Sequence, residues 1–246
     1  MKLKKINCLA RSFEYYPDVQ PCLQSLHVNL DSYFRIGGIE PGVLYPRLPS
    51  QPTLISLELG LRCSTQSKQL WSLYPMMPAL RRVKLLIEDV DTVRLKYRGS
   101  DWFDVVFHAF EPCLETLETL EIVPVNNERT FYKDVYCAIP SLSRFTKLSK
   151  LVIPFRQAFD DLHSILQPLL RELTLLHPGP VQASDLAHII NHYIAYWNLR
   201  RLDLYCALDD NVVLSNRAWV AFKEHGILVF VWAISGNRLL KEMSAA

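Results

Sequence analysis

The sequence lacks an apolar run long enough to cross a membrane. Its densest apolar stretch, residues 227–234, is only the size of a strand, whereas a spanning helix needs about 20 apolar residues. The positively charged start, residues 1–7, is not followed by the apolar segment of a secretory signal. We therefore expect no membrane partner.

None of the six cysteines forms a C-x-x-C pair. The absence of this spacing excludes zinc-ribbon and dithiol redox motifs. Cys8 occupies an apolar position of the pattern described below, and free buried cysteine behaves as a small hydrophobic residue. Together with the missing secretory signal, this cysteine usage predicts a cytoplasmic or nuclear protein.

Motifs of catalysis and nucleotide binding are also missing, since the chain has no G-x-G-x-x-G, G-x-x-x-x-G-K or G-x-S-x-G sequence. His188 and His192, with Asp185 one turn earlier, have a spacing that can hold zinc, but they lie largely opposite an apolar helix stripe. The pairs Asp160-Asp161 and Asp209-Asp210 fit helix ends and turns. We expect no enzyme activity, no catalytic residue, no cofactor and no metal.

Neither sign of charge dominates: 27 basic and 25 acidic residues leave a net charge of +2. Basic residues form only short pairs such as Arg81-Arg82 and Arg200-Arg201, whereas nucleic-acid binding requires a basic stripe. We expect no nucleic-acid partner. A hydrophobic content of 50% excludes a disordered chain.

What the sequence does contain is an L-x-x-L-x-L pattern that occurs eight times, at starting positions 20 to 37 residues apart. Fifteen of the sixteen residues between the first and second apolar positions are polar, Ile55 being the exception. Seven of the eight residues between the second and third are also polar, Val152 being the exception. This alternation is typical of a strand with one buried face. The apolar triplets are Leu3/Ile6/Cys8, Leu23/Leu26/Val28, Leu54/Leu57/Leu59, Leu80/Val83/Leu85, Leu117/Leu120/Ile122, Leu148/Leu151/Ile153, Leu170/Leu173/Leu175 and Leu199/Leu202/Leu204.

The segments between these strands predict helices and turns. Residues 184–197 carry an apolar stripe at helical spacing, and further helices are predicted at 100–110, 159–166 and 215–225, the last ending at Gly226. A final strand is predicted near residues 227–232. The glycine- and proline-rich residues 31–53 predict a long loop. A repeat of this length predicts one α/β solenoid over residues 1–246.

The repeat resembles that of leucine-rich repeat domains over nearly the whole chain. The resemblance implies a curved parallel sheet on the concave face and helices with irregular turns on the convex face. The ninth position of the family pattern departs from its usual asparagine or cysteine. It holds Arg11, Asp31, Arg62, Glu88, Val125, Arg156, Pro178 and Ala207.

Unequal spacing and the missing asparagines resemble the degenerate repeats that follow an F-box in proteins of cullin-type (SCF) ubiquitin ligases. There the F-box binds the ligase adaptor and the repeats select the substrate. No F-box segment is found in this chain, so an adaptor is expected as a partner only if an F-box lies outside it. Because the first strand has no capping unit before it, we also expect that an N-terminal part is missing.

Residues that flank the second and third apolar positions are predicted to line the concave face. Arginine and tyrosine are common among interface residues that dominate affinity. The predicted partner-binding residues are Arg82, Lys84, Glu121, Lys150, Glu172, Arg201, Asp203 and Tyr205.

These features predict a non-catalytic protein-protein interaction module, with substrate recognition for a ubiquitin ligase as its narrower function. One alternative is a scaffold or regulator unrelated to ubiquitin. An alternative from another class is an enzyme with an unrecognised site on the 31–53 loop, for which the residues offer no chemistry.

Overall fold

The fold is seen in a computed structural model, which describes residues 5–9, 24–29, 53–62, 77–88, 110–124, 142–154, 166, 168–176, 198–206, 220, 222–235 and 238–244. Within these ranges, no helix combines the length and the apolar character that a membrane span requires.

Every predicted repeat contains a strand, and each of these eight strands begins at the residue just before the second apolar position. Two further strands follow. The strands are β1 (Lys5–Leu9), β2 (Ser25–Asn29), β3 (Ser56–Arg62), β4 (Arg82–Glu88), β5 (Thr119–Pro124), β6 (Lys150–Pro154), β7 (Glu172–Leu176), β8 (Arg201–Cys206), β9 (Leu228–Ser235) and β10 (Arg238–Ser244).

The strands form one sheet in which spatial order equals chain order, from β1 to β10. All neighbours from β1 to β9 are parallel, and β10 pairs with β9 in the antiparallel direction. Each connection therefore advances the chain by one strand in the same direction. A doubly wound sheet reverses its order and binds ligands at that crevice, and the described strands show no such reversal.

The register places equivalent repeat positions side by side. Leu57 pairs with Val83, Val83 with Leu120, and Leu173 with Leu202. The triplet residues whose side chains are described are all at most 4% exposed, so the apolar positions form continuous buried rows. We call this side of the sheet the core face. Burial of a leucine side chain contributes about 1.5–3 kcal/mol of stabilising free energy, and each repeat of the pattern adds such buried side chains.

A second set of contacts joins the repeats just before the strands begin. In six cases one backbone carbonyl accepts hydrogen bonds from two successive N–H groups of the next repeat, at 2.8–3.1 Å. The carbonyl of Arg81, for example, accepts from Glu118 and Thr119. We call these contacts the carbonyl ladder. Its acceptors are Gln24, Ile55, Arg81, Glu118, Ser149 and Arg171.

Proline sets the approach to several strands. It stands two residues before the first leucine of four repeats, as Pro21, Pro52, Pro78 and Pro168. Around Pro78 the N–H of Leu80 donates to the carbonyl of Met77 at 3.1 Å, which closes a turn with proline at its second residue. The fixed φ of proline favours that position. In half of the repeats the pattern therefore extends to P-x-L-x-x-L-x-L.

The predicted helix at 215–225 is confirmed where it is described, because residues 220 and 222–224 are helical. Gly226 has a φ of +68°. Its N–H donates to the carbonyl of Lys223, and the N–H of Ile227 donates to Phe222. These two bonds form a Schellman motif, with Ile227 and Phe222 both buried. The predicted end of this helix at Gly226 is confirmed.

Replacing Gly226 with alanine is expected to lower the free energy of unfolding by about 1 kcal/mol, because a side chain disfavours the left-handed conformation. An added Cβ would meet no atom within 4 Å, so the cost is purely conformational. Urea unfolding measures it. Asparagine, which tolerates this conformation, should cost less than alanine. Equal stability of all three proteins would contradict the assignment.

The C-terminal part of the sheet corrects the sequence prediction. The strand expected near residues 227–232 runs from Leu228 to Ser235, and β10 was not predicted. The register of β10 shifts between Leu239 and Lys241, so its sequence lacks the regular alternation by which a strand is recognised.

Several other predictions fall on parts of the chain that the structure does not describe. The helix at 184–197 and the loop at 31–53, apart from its last residue, lie outside the described residues. Of the helices predicted at 100–110 and 159–166, only Phe110 and Leu166 are described, and neither is helical.

Cys113 is a free cysteine in a 3-10 helix, Glu111–Cys113, and is buried. Its Sγ atom donates to the carbonyl of Met77 at 3.7 Å. Burial raises the pKa of the Cys113 thiol to about 11. Because the thiolate is the reactive form, this cysteine acts as a core side chain.

Candidate partner-binding surface

The strand positions that alternate with the buried rows form the opposite side of the sheet, which we call the open face. All eight predicted partner-binding residues lie on it. Each is the immediate neighbour in sequence of a core-face residue, and the strands are in register. The structure thus brings together residues that are up to 123 positions apart in sequence, from Arg82 to Tyr205.

Four charged side chains in the middle of the open face form two ion pairs between neighbouring strands. The Nζ atom of Lys84 lies 3.6 Å from Glu58, and that of Lys150 lies 3.0 Å from Glu121. These lysine side chains are 41% and 39% exposed, so each pair contributes only about 0–1 kcal/mol. Their main effect is to neutralise charge on this face.

Arg82 and Glu172 are exposed at the ends of β4 and β7 where the strands begin. Glu172 pairs in register with Arg201 of the next strand. Val152 lies on the open face of β6, between Arg82 on β4 and Glu172 on β7, and is only 8% exposed. The exception in the polar pattern is therefore a buried side chain.

The strongest polar contact on the open face joins Arg201 and Asp203. The Nε and Nη2 atoms of Arg201 donate to the two carboxylate oxygens of Asp203, at 2.6 and 3.1 Å. The side chain of Asp203 is 8% exposed. It also accepts a hydrogen bond from the indole Nε1 of Trp232 at 3.0 Å. The hydrogen bond to Asp203 raises the pKa of Arg201 above its usual value, so the guanidinium stays charged.

Around Asp203, four side chains contact one another in a continuous series. The guanidinium carbon of Arg201 is 4.7 Å from the centre of the Phe230 ring. Phe230 and Trp232 have ring centres 6.2 Å apart and planes inclined by 22°. Trp232 and Tyr205 follow at 5.6 Å and 16°. We call Arg201, Phe230, Trp232 and Tyr205 the stacked cluster.

Register explains why these residues meet. Tyr205 pairs with Trp232, and Asp203 pairs with Phe230. Directly paired side chains in a sheet have Cβ atoms about 5 Å apart, and successive outward positions on β9 supply the two adjoining rings. The buried carboxylate then fixes the rotamers of Arg201 and Trp232 through three hydrogen bonds.

Sequence reasoning missed Phe230 and Trp232, although it placed both on a strand. The signal was present, because Leu228, Phe230 and Trp232 alternate with Ile227, Val229 and Val231. The latter three are at most 4% exposed, and Leu228 is 53% exposed. Strand β9 is therefore apolar on both faces, and its outward positions carry no charge.

No group of three potential metal-binding side chains occurs among the described residues. His188, His192 and the pairs Asp160-Asp161 and Asp209-Asp210 lie outside the described parts of the chain. The candidate surface is thus built from strands β3 to β9 and from side chains suited to non-covalent contact.

Comparison of the chain with protein-family models, with curated proteins and with solved structures found no match.

Proposed function

We propose that this chain is a non-catalytic protein-binding module of the leucine-rich repeat type, which holds a protein partner on its open face. The observation that carries the proposal is the register: outward residues that vary between repeats are aligned across nine parallel strands, over a framework of consistently apolar rows. Such a framework holds a varied surface rigid. Solenoids characteristically use that surface to bind another macromolecule.

The chemistry of the open face favours a protein over a nucleic acid. Lys84, Lys150 and Arg201 each pair with a carboxylate of the same face. Phosphate binding depends on basic groups that can release counterions on contact, and basic groups already paired are poorly suited to it. Aromatic residues and arginine are the side chains most enriched where protein interfaces gain affinity.

The narrower proposal is substrate recognition for a cullin-type ubiquitin ligase in the cytoplasm or nucleus. It is supported by the resemblance of the uneven repeats to those that follow an F-box. Co-purification of the gene product with a cullin-ligase adaptor tests it. A gene product that binds partners through the open face without the adaptor would instead be a scaffold or regulator unrelated to ubiquitin.

The test of the broader proposal compares two triple variants of the tagged chain. Alanine at Arg82, Arg201 and Tyr205 is expected to reduce recovery of specific partners by about tenfold or more, as loss of central interface residues does. Alanine at Glu115, Lys147 and Glu224, which are exposed outside the strands, is the control. Quantitative mass spectrometry of co-precipitated proteins gives the ratio. Equal recovery with both variants would contradict binding at the open face.

A further inference from the structure

We propose that the partner docks on the stacked cluster and along β9, and that it presents an apolar and aromatic segment without net charge. This inference rests on the proposed function and names the partner chemistry and the part of the open face that receives it.

The first observation is the composition of β9. At the first two outward positions, β1 to β8 carry mostly polar or charged residues, whereas β9 carries Leu228 and Phe230, followed by Trp232. Leu228 is 53% exposed. Apolar side chains gathered at one exposed place on a soluble protein commonly mark an interaction site.

The second observation is that the two charges within the cluster, those of Arg201 and Asp203, are paired with each other. Arg201 gives two hydrogen bonds to Asp203, and Asp203 accepts a third from Trp232. A partner charge placed against this pair would have to compete with those bonds or be desolvated without compensation, which costs free energy. An uncharged segment meets no such cost.

The third observation is rigidity. Burying a carboxylate is costly unless it is well hydrogen-bonded, and Asp203 is buried on the open face with three hydrogen bonds. Its bonds hold Arg201 and Trp232 in single conformations before any partner arrives. Side chains that are already fixed lose little entropy on binding. Asp203 is therefore a positioning residue of the surface, which acts through Arg201 and Trp232.

The test uses the full chain and a phage-displayed library of random dodecapeptides as the probe. Peptides selected on the wild-type chain are synthesised, and their affinity is measured by fluorescence anisotropy. We expect sequences rich in aromatic and aliphatic residues, with log Kd changing by less than about one unit per tenfold change in NaCl, because few ions are released. Trp232→Ala should weaken binding at least about tenfold.

Two control variants separate positioning from general stability. Thr119→Ala lies on the same face, about 19 Å from β9 at the usual strand spacing, and should leave affinity unchanged, while Arg82→Ala is measured beside it as a test of the rival site on β4. Val229→Ala removes a core-face methyl pair from β9 and should lower stability with little change in affinity at a temperature where the protein is folded. Asp203→Asn should weaken peptide binding and shift the indole N–H resonance of Trp232, which Trp232→Phe assigns.

The outcomes distinguish the two proposals. Selected peptides that are highly charged, that bind with steep salt dependence, or that lose affinity with Arg82→Ala but not Trp232→Ala overturn the inference and leave binding at the open face intact. A wild-type dimer that Trp232→Ala converts to a monomer makes a second copy of the chain the occupant and also overturns it. If the library shows no enrichment over an unrelated protein, docking at this cluster is overturned. The triple-variant experiment judges the proposed function separately.

Discussion

Replacing Leu120 with alanine is expected to lower the free energy of unfolding by about 3 kcal/mol, the usual cost of deleting a leucine side chain from a tightly packed core. Leu120 is 0% exposed and lies on β5, paired with Val83 on one side and Leu151 on the other. Neighbouring rows hold the cavity open, so relaxation should recover little. Urea unfolding followed by far-UV circular dichroism measures the change.

The matched control is Thr119→Ala, one residue earlier on the same strand but on the open face, where it is half-buried. It should change stability by no more than about 0.5 kcal/mol. Since domains of this kind are stable by about 5–15 kcal/mol in total, the two variants will differ clearly. A loss below about 1 kcal/mol for Leu120→Ala would contradict the central position of this row in the core.

The second large effect is expected for Arg201→Ala, which should cost about 2 kcal/mol. Among the described residues, the substitution leaves the buried carboxylate of Asp203 with the Trp232 indole as its remaining donor, and a buried charge without its partner is strongly destabilising. Loss of the contact between Arg201 and the Phe230 ring adds a smaller cost. Partial re-exposure of Asp203 keeps the total below that of a fully buried pair.

A double-mutant cycle makes this prediction specific. Asp203→Ala removes the buried charge and leaves an arginine that is 45% exposed and can be hydrated. It should therefore cost less than Arg201→Ala, and the double variant should also be more stable than Arg201→Ala alone. Lys150→Ala, whose partner Glu121 is 23% exposed, is the control for an ordinary surface pair. An effect of Arg201→Ala no larger than that of Lys150→Ala would show that Asp203 does not need its arginine.

The strands and their faces could be predicted from the sequence because burial alone decides them. Positions 57, 83 and 120 require an apolar side chain but not leucine in particular. Val83 is buried to the same extent as Leu57. The same alternation placed Arg82, Lys84 and Tyr205 on one face. The alternation of side chains between the two faces of a strand therefore determined the face of each candidate residue.

What could not be predicted depends on pairing across strands. Nothing local to Asp203 indicates that Trp232, 29 positions later, donates a hydrogen bond to it. The strand β10 was missed because its shifted register interrupts the alternation. Phe230 and Trp232 were missed because the final strand lies outside the eight L-x-x-L-x-L repeats from which the partner-binding residues were chosen.

The carbonyl ladder has a consequence for how this chain tolerates change. The carbonyl of Arg81 reaches Glu118 and Thr119 at 2.8 and 2.9 Å, across repeats 37 residues apart. The carbonyl of Ser149 reaches Arg171 and Glu172 at the same two distances, across repeats only 22 residues apart. The stacking of successive units is thus independent of the length of chain that joins them. Segments between strands are free to be lengthened, shortened or exchanged while the arrangement of the open face is inherited unchanged.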